Sequence, residues 1–437
     1  GFVGEGGGGD GQGEGGGEGA HLCLRFGVRW DDVRCTETAY PPAAAQDKPV
    51  FPKFKTQEID TGLSIGYAVI VTDIDGDKKP DIVVVDKHKV VWYQNPTWKK
   101  RVILDGKTKP DNVCVADIDL DGDGLPELVV GAGWKPFDTE TAGQLCWLKR
   151  GKSLDDEWTM TVMPCDEPTV HRVRVADLDG DGRKEIIMAP LMGRGATAKG
   201  NWMDGRPVRI LRYVVPENEK LLGWRIRVVN EDLHVVHNIF TATMDEVVGV
   251  KPYDYIYAAS YEGVTNITPG KVPGRRHVGL GDQSNPSGSR GASELFLGRG
   301  ATATIEPWHG NKVVTYQGKD LDKPWDRLVI DDRLRWGHAV KMARLDGDIW
   351  DTIIVGVRDN PNPKAGDTHT EKCGVRLYKN VAKDPVREQK WERFLLDEGG
   401  VAVEDLAVAD LDGDGKPDIV AVGRATKNCR IYWNQGK

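Results

Sequence analysis

A short acidic box, repeated between two apolar segments, constrains the fold of this chain more than any other feature. In each clear copy an apolar run leads into alternating Asp residues with Gly, and a second apolar run follows. Alternating apolar positions and β-branched residues are typical of β-strands. The clear copies are Val69–Val85, Val113–Val130, Val173–Ala189 and Leu406–Val422, a degraded copy is Ala339–Val357, and a fainter one, with Thr243–Asp245 replacing the box, is Ile239–Ala258.

The spacing of these copies predicts a β-propeller. The interval between the faint and the degraded copy is too long for one repeat, so we expect another degenerate copy at Phe296–Gln317. The chain then contains seven repeats, each predicted to consist of β-strands. Repeats of roughly 40–50 residues with four strands each are typical of propeller blades. The fourth strands are predicted at Trp98–Leu104, Trp158–Met163, Trp224–Val229, Trp325–Ile330 and Trp391–Leu396.

The two ends of the repeat region predict how the ring closes. The last unit has three strands, whereas Phe54–Asp60 reads like a fourth strand and precedes the first unit. Pairing the two would remove open sheet edges. We therefore predict an all-β, seven-bladed propeller over residues 51–437. The first twenty residues hold twelve Gly and four acids, and residues 1–50 are predicted to be a disordered Gly-rich leader.

Composition narrows the function classes. The chain has 59 Lys and Arg against 67 Asp and Glu, a formal charge of -8, which argues against a nucleic-acid partner. No stretch approaches the ~18 apolar residues of a membrane span. The seven cysteines form no C-x-x-C pair, so we expect neither a zinc site nor a disulfide framework. We expect a secreted or periplasmic protein, although residues 1–50 contain no clear signal peptide.

The boxes predict up to four structural Ca²⁺ sites. Carboxylates recur at positions 1, 3, 5 and 9 of each clear box, and such a loop gathers the hard oxygen ligands that Ca²⁺ prefers. In the degraded box Arg344 takes the first position, where its guanidinium replaces the missing cation or marks an eroded site. The predicted ligands are Asp73, Asp75, Asp77 and Asp81 (box 1); Asp119, Asp121, Asp123 and Glu127 (box 2); Asp177, Asp179, Asp181 and Glu185 (box 3); and Asp410, Asp412, Asp414 and Asp418 (box 7).

The D-x-D-G-D-G-x-x-D/E boxes between apolar strands resemble the FG-GAP/VCBS family of calcium-binding β-propellers over about residues 51–437. That resemblance implies the fold more than an activity, because such propellers include adhesion modules, binding domains and enzymes. Thr169–Asp177, Val236–Phe240 and Ile305–Gly310 are similar to the propeller portion of aldos-2-ulose dehydratase and its bacterial relatives. This second resemblance implies removal of water from a keto-sugar.

One repeat position carries an unusual set of polar residues. Six residues before the first position of each box (in box 2, the extra acid Asp117), at the start of the innermost strand, a structural propeller would have small or apolar residues. Three of the nine histidines in the chain fall on this position. They are either site residues around the central axis or turn residues bonded to neighbouring backbone. The occupants are Tyr67, Asp111, His171, His237, Arg290 (aligned less securely), His338 and Glu404.

Long insertions between second and third strands are expected on the same face as this ring. They are Trp134–Gly143, Pro190–Pro207 and Asp359–Gly374. Functional residues often lie on loops held by a rigid scaffold. For Trp202 and Trp308, sugar stacking and ordinary loop packing are both consistent with the sequence. The predicted substrate rim is Arg194, Lys199, Trp202, Glu306, Trp308 and His309.

The ring predicts metal-assisted chemistry on a carbohydrate. His171, His237 and His338 can hold a divalent transition metal or act in acid–base steps. Lewis-acid stabilisation of an enolate would support β-elimination on a keto-sugar or uronate. We therefore predict a carbohydrate-acting carbon–oxygen lyase or dehydratase. Asp111 and Glu404 are assigned as ligand or base, Tyr67 as proton donor and Arg290 as anion clamp.

Two other classes remain consistent with the sequence. A non-catalytic propeller that binds a sugar or a protein would use the ring only for hydrogen bonds. A hydrolase would need two carboxyl groups at the separation found in glycosidases, for which Asp111 and Glu404 are the candidates.

Overall fold

The computed structural model describes residues 50–217, 223–243, 252–268, 274–318, 323–358, 370–385 and 388–437. The predicted leader therefore lies outside the described residues except for Val50, as do Met244–Asp245 of the faint box and most of the Asp359–Gly374 insertion. The described residues contain no helix long and apolar enough to cross a membrane. Their five cysteines are free thiols.

Within the described residues the chain forms seven four-stranded antiparallel sheets, as predicted. After β1 (Phe54–Asp60), blade 1 has β2 (Gly66–Thr72), β3 (Asp81–Asp86), β4 (Lys89–Gln94) and β5 (Lys99–Asp105); blade 2 has β6 (Cys114–Ile118), β7 (Glu127–Ala132), β8 (Gln144–Lys149) and β9 (Thr159–Met163); blade 3 has β10 (Val170–Ala176), β11 (Glu185–Pro190), β12 (Val208–Val214) and β13 (Arg225–Leu233); and blade 4 has β14 (Asn238–Thr243), β15 (Asp254–Ser260), β16 (Gly263–Thr268) and β17 (Gly274–Gly279).

The remaining blades repeat this order. Blade 5 has β18 (Glu294–Gly298), β19 (Ala301–Glu306), β20 (Lys312–Gln317) and β21 (Asp326–Asp331), so the degenerate copy is confirmed. Blade 6 has β22 (Gly337–Ala343), β23 (Thr352–Val357), β24 (Gly374–Asn380) and β25 (Trp391–Leu395). Blade 7 has β26 (Val403–Ala409), β27 (Asp418–Gly423) and β28 (Cys429–Asn434).

The N-terminal strand closes the ring. β1 pairs antiparallel with β28, with Phe54 opposite Asn434 and Thr56 opposite Tyr432. Blade 7 is thus assembled from both ends of the repeat region, and the closure predicted from the sequence is confirmed.

Burial explains the order of strands within a blade. Every residue of β3, β11 and β27 is buried, because these second strands lie between the neighbouring blades and carry continuous apolar runs. The fourth strands are more exposed than the second strands, most clearly in β21. The first strands face the axis, where their half-buried side chains are available to a site.

Candidate functional site

Three imidazoles meet at one mouth of the central channel. His237 precedes β14, His309 lies in the turn after β19, and His338 is the second residue of β22. One ring nitrogen from each lies within 4.8 Å of the others. The Nε2 atoms of His237 and His309 are 2.9 Å apart. We call these residues the imidazole triad.

Hydrogen bonds fix the tautomers of two triad members. His237 Nδ1 lies 2.8 Å from a carboxylate oxygen of Glu294, and His338 Nδ1 lies 2.7 Å from the backbone oxygen of Glu404. Both partners only accept, so each Nδ1 carries the proton and each Nε2 is a lone pair. Either a proton or a cation must therefore lie between His237 and His309. A carboxylate or carbonyl behind the ring is the usual support of a metal-ligating histidine.

Burial keeps the triad uncharged. Burial lowers the pKa of His309 and His338 well below 6.5, and the Arg358 guanidinium lowers both further. Burial also lowers the pKa of His237, although the Glu294 carboxylate raises it. Neutral imidazoles bind divalent metals such as Zn²⁺, and the donor set fits such an ion.

His171 is a neighbour of this triad rather than a member. Its ring lies 4.7 Å from that of His237 and 4.9 Å from that of Trp134. Its Nε2 accepts a hydrogen bond from Arg172 Nη1 at 3.1 Å, so this lone pair is engaged away from the triad. The three-histidine metal set predicted from the sequence thus needs correction: the structure groups His309, not His171, with His237 and His338.

A backbone irregularity directs the side chains of several residues at the repeated polar position toward the mouth of the channel. The pairing register shifts around Tyr67, His171, His338 and Glu404, each the second residue of its blade's first strand. A β-bulge of this kind redirects one side chain without changing the rest of the strand. The repeat position identified in the sequence therefore corresponds to a repeated structural device in four blades.

The same register corrects two predicted ring members. In blade 2 the pairing of Cys114 with Gly131 puts Val113 at the ring position, because the box that matches the others begins at Asp119. Asp111 lies two residues earlier, where it accepts a 2.8 Å hydrogen bond from the Tyr67 hydroxyl. In blade 5 Ser293, not Arg290, takes the position of His237.

Guanidinium groups and one carboxylate form the wall of the mouth. Glu404 accepts a 3.0 Å hydrogen bond from Arg424 and lies 3.6 Å from Arg358. Arg424 stacks over the Tyr67 ring and Arg358 over the Trp336 ring. With the imidazoles, these side chains line a cavity of about 510 Å³, large enough for a sugar. We call this cavity the histidine mouth.

The predicted rim residues divide into two groups. Trp308 and His309 line the mouth, together with Trp134 and Phe137 of the first insertion. Trp202 stacks on Phe137 from outside, with ring centroids 5.5 Å apart. Arg194 bonds backbone oxygens of neighbouring loops, and Lys199 is exposed. Glu306 is not a rim residue: it is fully buried within blade 5 and accepts hydrogen bonds from Arg327 and Tyr316.

Each acidic box is a turn between the first and second strands, held by its own first carboxylate. In box 7, Asp410 accepts hydrogen bonds from the amides of Gly413, Asp414 and Gly415. Asp418 bonds the amide of Leu411. Three acids in each box bring oxygens within 4.8 Å of one another: Asp73, Asp75 and Asp81; Asp119, Asp121 and Glu127; Asp177, Asp179 and Asp181; and Asp410, Asp412 and Asp418.

The carboxylate at the ninth position of a box has a raised pKa. Burial raises the pKa of Asp81 and Glu127 to about 7 and that of Asp418 to about 6, and other carboxylates of the same box add to the rise. Burial and repulsion both disfavour the charged form of these carboxylates, and a bound cation would offset that cost. Three carboxylates grouped in this way are consistent with a Ca²⁺ site.

A basic side chain from the third strand of the blade contacts the carboxylates of boxes 2 and 3. Lys149 contacts Asp121 and Glu127 in box 2, and Arg212 contacts Asp179 and Glu185 in box 3. In the degraded box of blade 6, Lys379 pairs with Asp346 and Asp348. Arg344 instead donates to the Asp348 backbone oxygen, so the cation that contacts both carboxylates of this box is the Lys379 ammonium, not the Arg344 guanidinium.

The chain folds as a seven-bladed β-propeller, and parts of it match the profiles of known propeller families. Residues 73–130 match the family profile of the FG-GAP-like repeat. Residues 142–319 match the profile described as the aldos-2-ulose dehydratase β-propeller domain. Both resemblances inferred from the sequence are confirmed over these parts of the chain. The second match includes His171, His237 and His309 and indicates similarity to a carbohydrate-related enzyme family.

Solved structures show the fold alone. The chain is similar to a crystal structure of BBS1N in complex with ARL6DN, soaked with mercury, at 13% identity and a TM-score of 0.50, covering 88% of this chain and 98% of that one. It is also similar to a chain of the mitotic checkpoint complex at 8% identity and a TM-score of 0.51, covering 93% and 100%. No curated protein sequence matches this chain.

Proposed function

We propose that the protein is a carbohydrate lyase or dehydratase that performs metal-assisted β-elimination on a keto-sugar or uronate-type substrate in the histidine mouth. The observation that carries the proposal is the convergence of one ring nitrogen each from His237, His309 and His338 in a cavity that is also lined by guanidinium groups. A divalent cation at this point would supply Lewis acidity to a substrate carbonyl or carboxylate oxygen.

His171 is the group we assign to proton abstraction. Burial and the neighbouring Arg172 guanidinium lower the pKa of His171 well below 6.5, so its ring is uncharged at neutral pH. Its Nε2 would exchange the hydrogen bond from Arg172 for the proton next to the substrate carbonyl. The electron pair of that C–H bond then forms the carbon–carbon double bond.

Tyr67 is assigned to protonation of the leaving oxygen. Burial raises the pKa of its hydroxyl, and the hydrogen bond to Asp111 raises it further, so the phenol is protonated. As the β-oxygen leaves, Tyr67 gives it a proton. Transfer of the proton from His171 to Tyr67 then restores both groups, and the net reaction is loss of water or of an alcohol. Arg424 and Arg358, which flank Glu404, would hold an anionic group of the substrate.

The structural part of the proposal is that boxes 1, 2, 3 and 7 bind Ca²⁺ and stabilise the turns opposite the mouth. Millimolar calcium outside the cell saturates even weak sites of extracellular modules. This chemistry is consistent with a secreted or periplasmic location.

Elemental analysis of the purified protein tests the metal. We expect about one transition-metal ion per chain in the wild type, in addition to calcium, because three neutral imidazoles form a typical site. His309→Ala and His338→Ala should lose that ion. His171→Ala should keep it, and so should His88→Ala, a matched control at an exposed histidine.

Activity is tested on keto-sugars and uronate oligosaccharides by the ultraviolet absorbance of an unsaturated product. We expect His171→Ala and Tyr67→Phe to retain the metal and lose turnover. The aromatic lining of Trp134, Phe137 and Trp308 would also suit a sugar-binding module. If calcium is the sole metal in every variant, and the protein binds sugar saturably without forming an unsaturated product, the enzyme proposal is wrong and the protein is a sugar-binding module.

A further inference from the structure

The axial channel below the mouth has a chemistry of its own. A second cavity of about 300 Å³ shares Tyr67, Val113 and Arg172 with the lining of the histidine mouth. Its other charged lining residues in the described part of the chain are Arg174, Lys341, Asp405 and Asp117. The volume is at the low end of ligand sites, which span about 300–1,000 Å³, so a ligand of few atoms would fit.

Three cations, Arg172, Arg174 and Lys341, lie in this channel, and the carboxylates that act on Arg174 and Lys341 are those of Asp405 and Glu294. Arg172 and Arg174 are two residues apart on β10, so both project toward the axis. Arg172 is paired with the Glu294 carboxylate at 3.2 Å. Arg174 donates to neutral oxygens, the Val173 carbonyl and the Asn238 side chain, each at 2.9 Å.

Lys341 and Arg174 share the charge of one carboxylate, Asp405. Within the described residues, no carboxylate lies at ion-pair distance from the Lys341 ammonium. Asp405, the nearest acid in the lining, already accepts backbone amides from Val69 at 3.1 Å and Leu406 at 2.9 Å. Asp117 bonds the Thr72 hydroxyl near the opposite end of the first strands. Glu294 and Asp405 together leave one of the three positive charges uncompensated, and a bound ion of opposite sign would offset the cost of that charge.

The geometry points to an oxyanion site in the axial channel, formed by Arg174 and Lys341 with Arg172 at its upper end. The ligand is a sulfate, a phosphate or a carboxylate, since these groups accept several charge-assisted hydrogen bonds at once. The site is separate from the imidazole triad, and its occupant is either a free inorganic ion or the carboxylate of a sugar acid that enters through the mouth.

Isothermal titration with sulfate, at ionic strength held constant with chloride, tests the site. We expect saturable binding of about one sulfate per chain, weakened about tenfold or more in Lys341→Met, since one charge-assisted hydrogen bond contributes about that factor. Lys152→Met, the same change at an exposed lysine, should bind sulfate like the wild type. Asp405→Asn should bind sulfate more tightly, and this opposite sign keeps the test decisive if Lys341→Met fails to fold.

Two further arms identify the occupant and separate this site from the proposed reaction. Competition of glucuronate with sulfate would assign the site to a sugar carboxylate, and sulfate binding without competition would assign it to a free ion. His338→Ala should retain sulfate binding whether or not it loses a metal. Absence of saturable sulfate binding to the wild type, or equal binding by the wild type and Lys341→Met, would overturn the proposal.

Discussion

The two ends of the propeller gather charged side chains by different means. On one face, each acidic box takes its carboxylates from nine consecutive residues, and the turn itself brings them together. At the other, the imidazole triad takes one side chain from each of blades 4, 5 and 6. A box is therefore a local structure, whereas the mouth depends on the packing of blades around a closed ring.

This difference assigns opposite electrostatic roles to the two faces. Burial, with repulsion from the other carboxylates of the box, raises the pKa values of Asp81 and Glu127, so a bound cation would stabilise their charged form. Burial keeps the imidazoles neutral, and Nε2 of His237 and of His338 carries a lone pair. Calcium at the boxes should consequently support folding, and a metal at the triad should support chemistry.

Removal of calcium should give the largest effect, a loss of thermal stability, and it should act on the acidic boxes rather than on the imidazole triad. A ligand at 100 times its dissociation constant stabilises the folded state by about 2.7 kcal/mol per site. We expect calcium-stripped protein to melt many degrees lower in differential scanning calorimetry, and readdition to restore the transition. His309→Ala should melt close to the wild type in calcium. Equal melting temperatures with and without calcium would contradict the stabilising role of the boxes.

The support behind the triad should show the next largest effect. Glu294 holds His237 from behind, and loss of such a partner typically costs about 10–100-fold in metal affinity. Competition with a chromophoric chelator should reveal this weakening in Glu294→Gln. The matched control is Glu262→Gln, since Glu262 holds His234 in the same way at 2.9 Å outside the triad. An equal loss in both variants would refute a specific role of Glu294.

Differences among the boxes should be smaller. Lys149 competes with a cation for Asp121 and Glu127, so Lys149→Met should raise the calcium affinity of box 2 about tenfold, the size of one charge-assisted contact. Calcium titration, with bound ions counted by native mass spectrometry, should show that the fourth ion binds to Lys149→Met at a lower calcium concentration than to the wild type. Lys152→Met serves as the control, and unchanged stoichiometry curves in Lys149→Met would mean that the lysine does not compete.

The smallest expected effect is the pH dependence of the calcium-free protein. The folded pKa values of Asp81 and Glu127, about 7, exceed the ordinary 3.8 and 4.5, so folding takes up protons. Their contribution is fully present below pH 4 and is lost as pH rises through 7, about 1 kcal/mol each after discounting for solvent screening. Calorimetry of calcium-stripped protein between pH 5 and 8 should show this decline, reduced in Asp81→Asn. Stability that does not fall in this range would contradict the shifts.

The sequence predicted the local features correctly and the convergent ones only in part. The closing strand Phe54–Asp60 was predictable because its partner pattern is repeated in every blade. Asp111 and Arg290 were placed wrongly because the extra acid of box 2 and the short Gly298–Ala301 turn of blade 5 shift the alignment. His309 was assigned to the rim, not the triad, because its position depends on the packing of the turn after β19. Glu294 was missed because no sequence pattern distinguishes it.

The pairing of β1 with β28 has a consequence for biosynthesis. Glu58 and Arg430, which face each other in this sheet, are 372 positions apart. Translation delivers β1 first, so this strand must wait on the ribosome without a partner until almost the whole ring has been made. The histidine mouth, which is formed by blades on all sides of the axis, becomes complete only when β1 pairs with β28 and closes the ring.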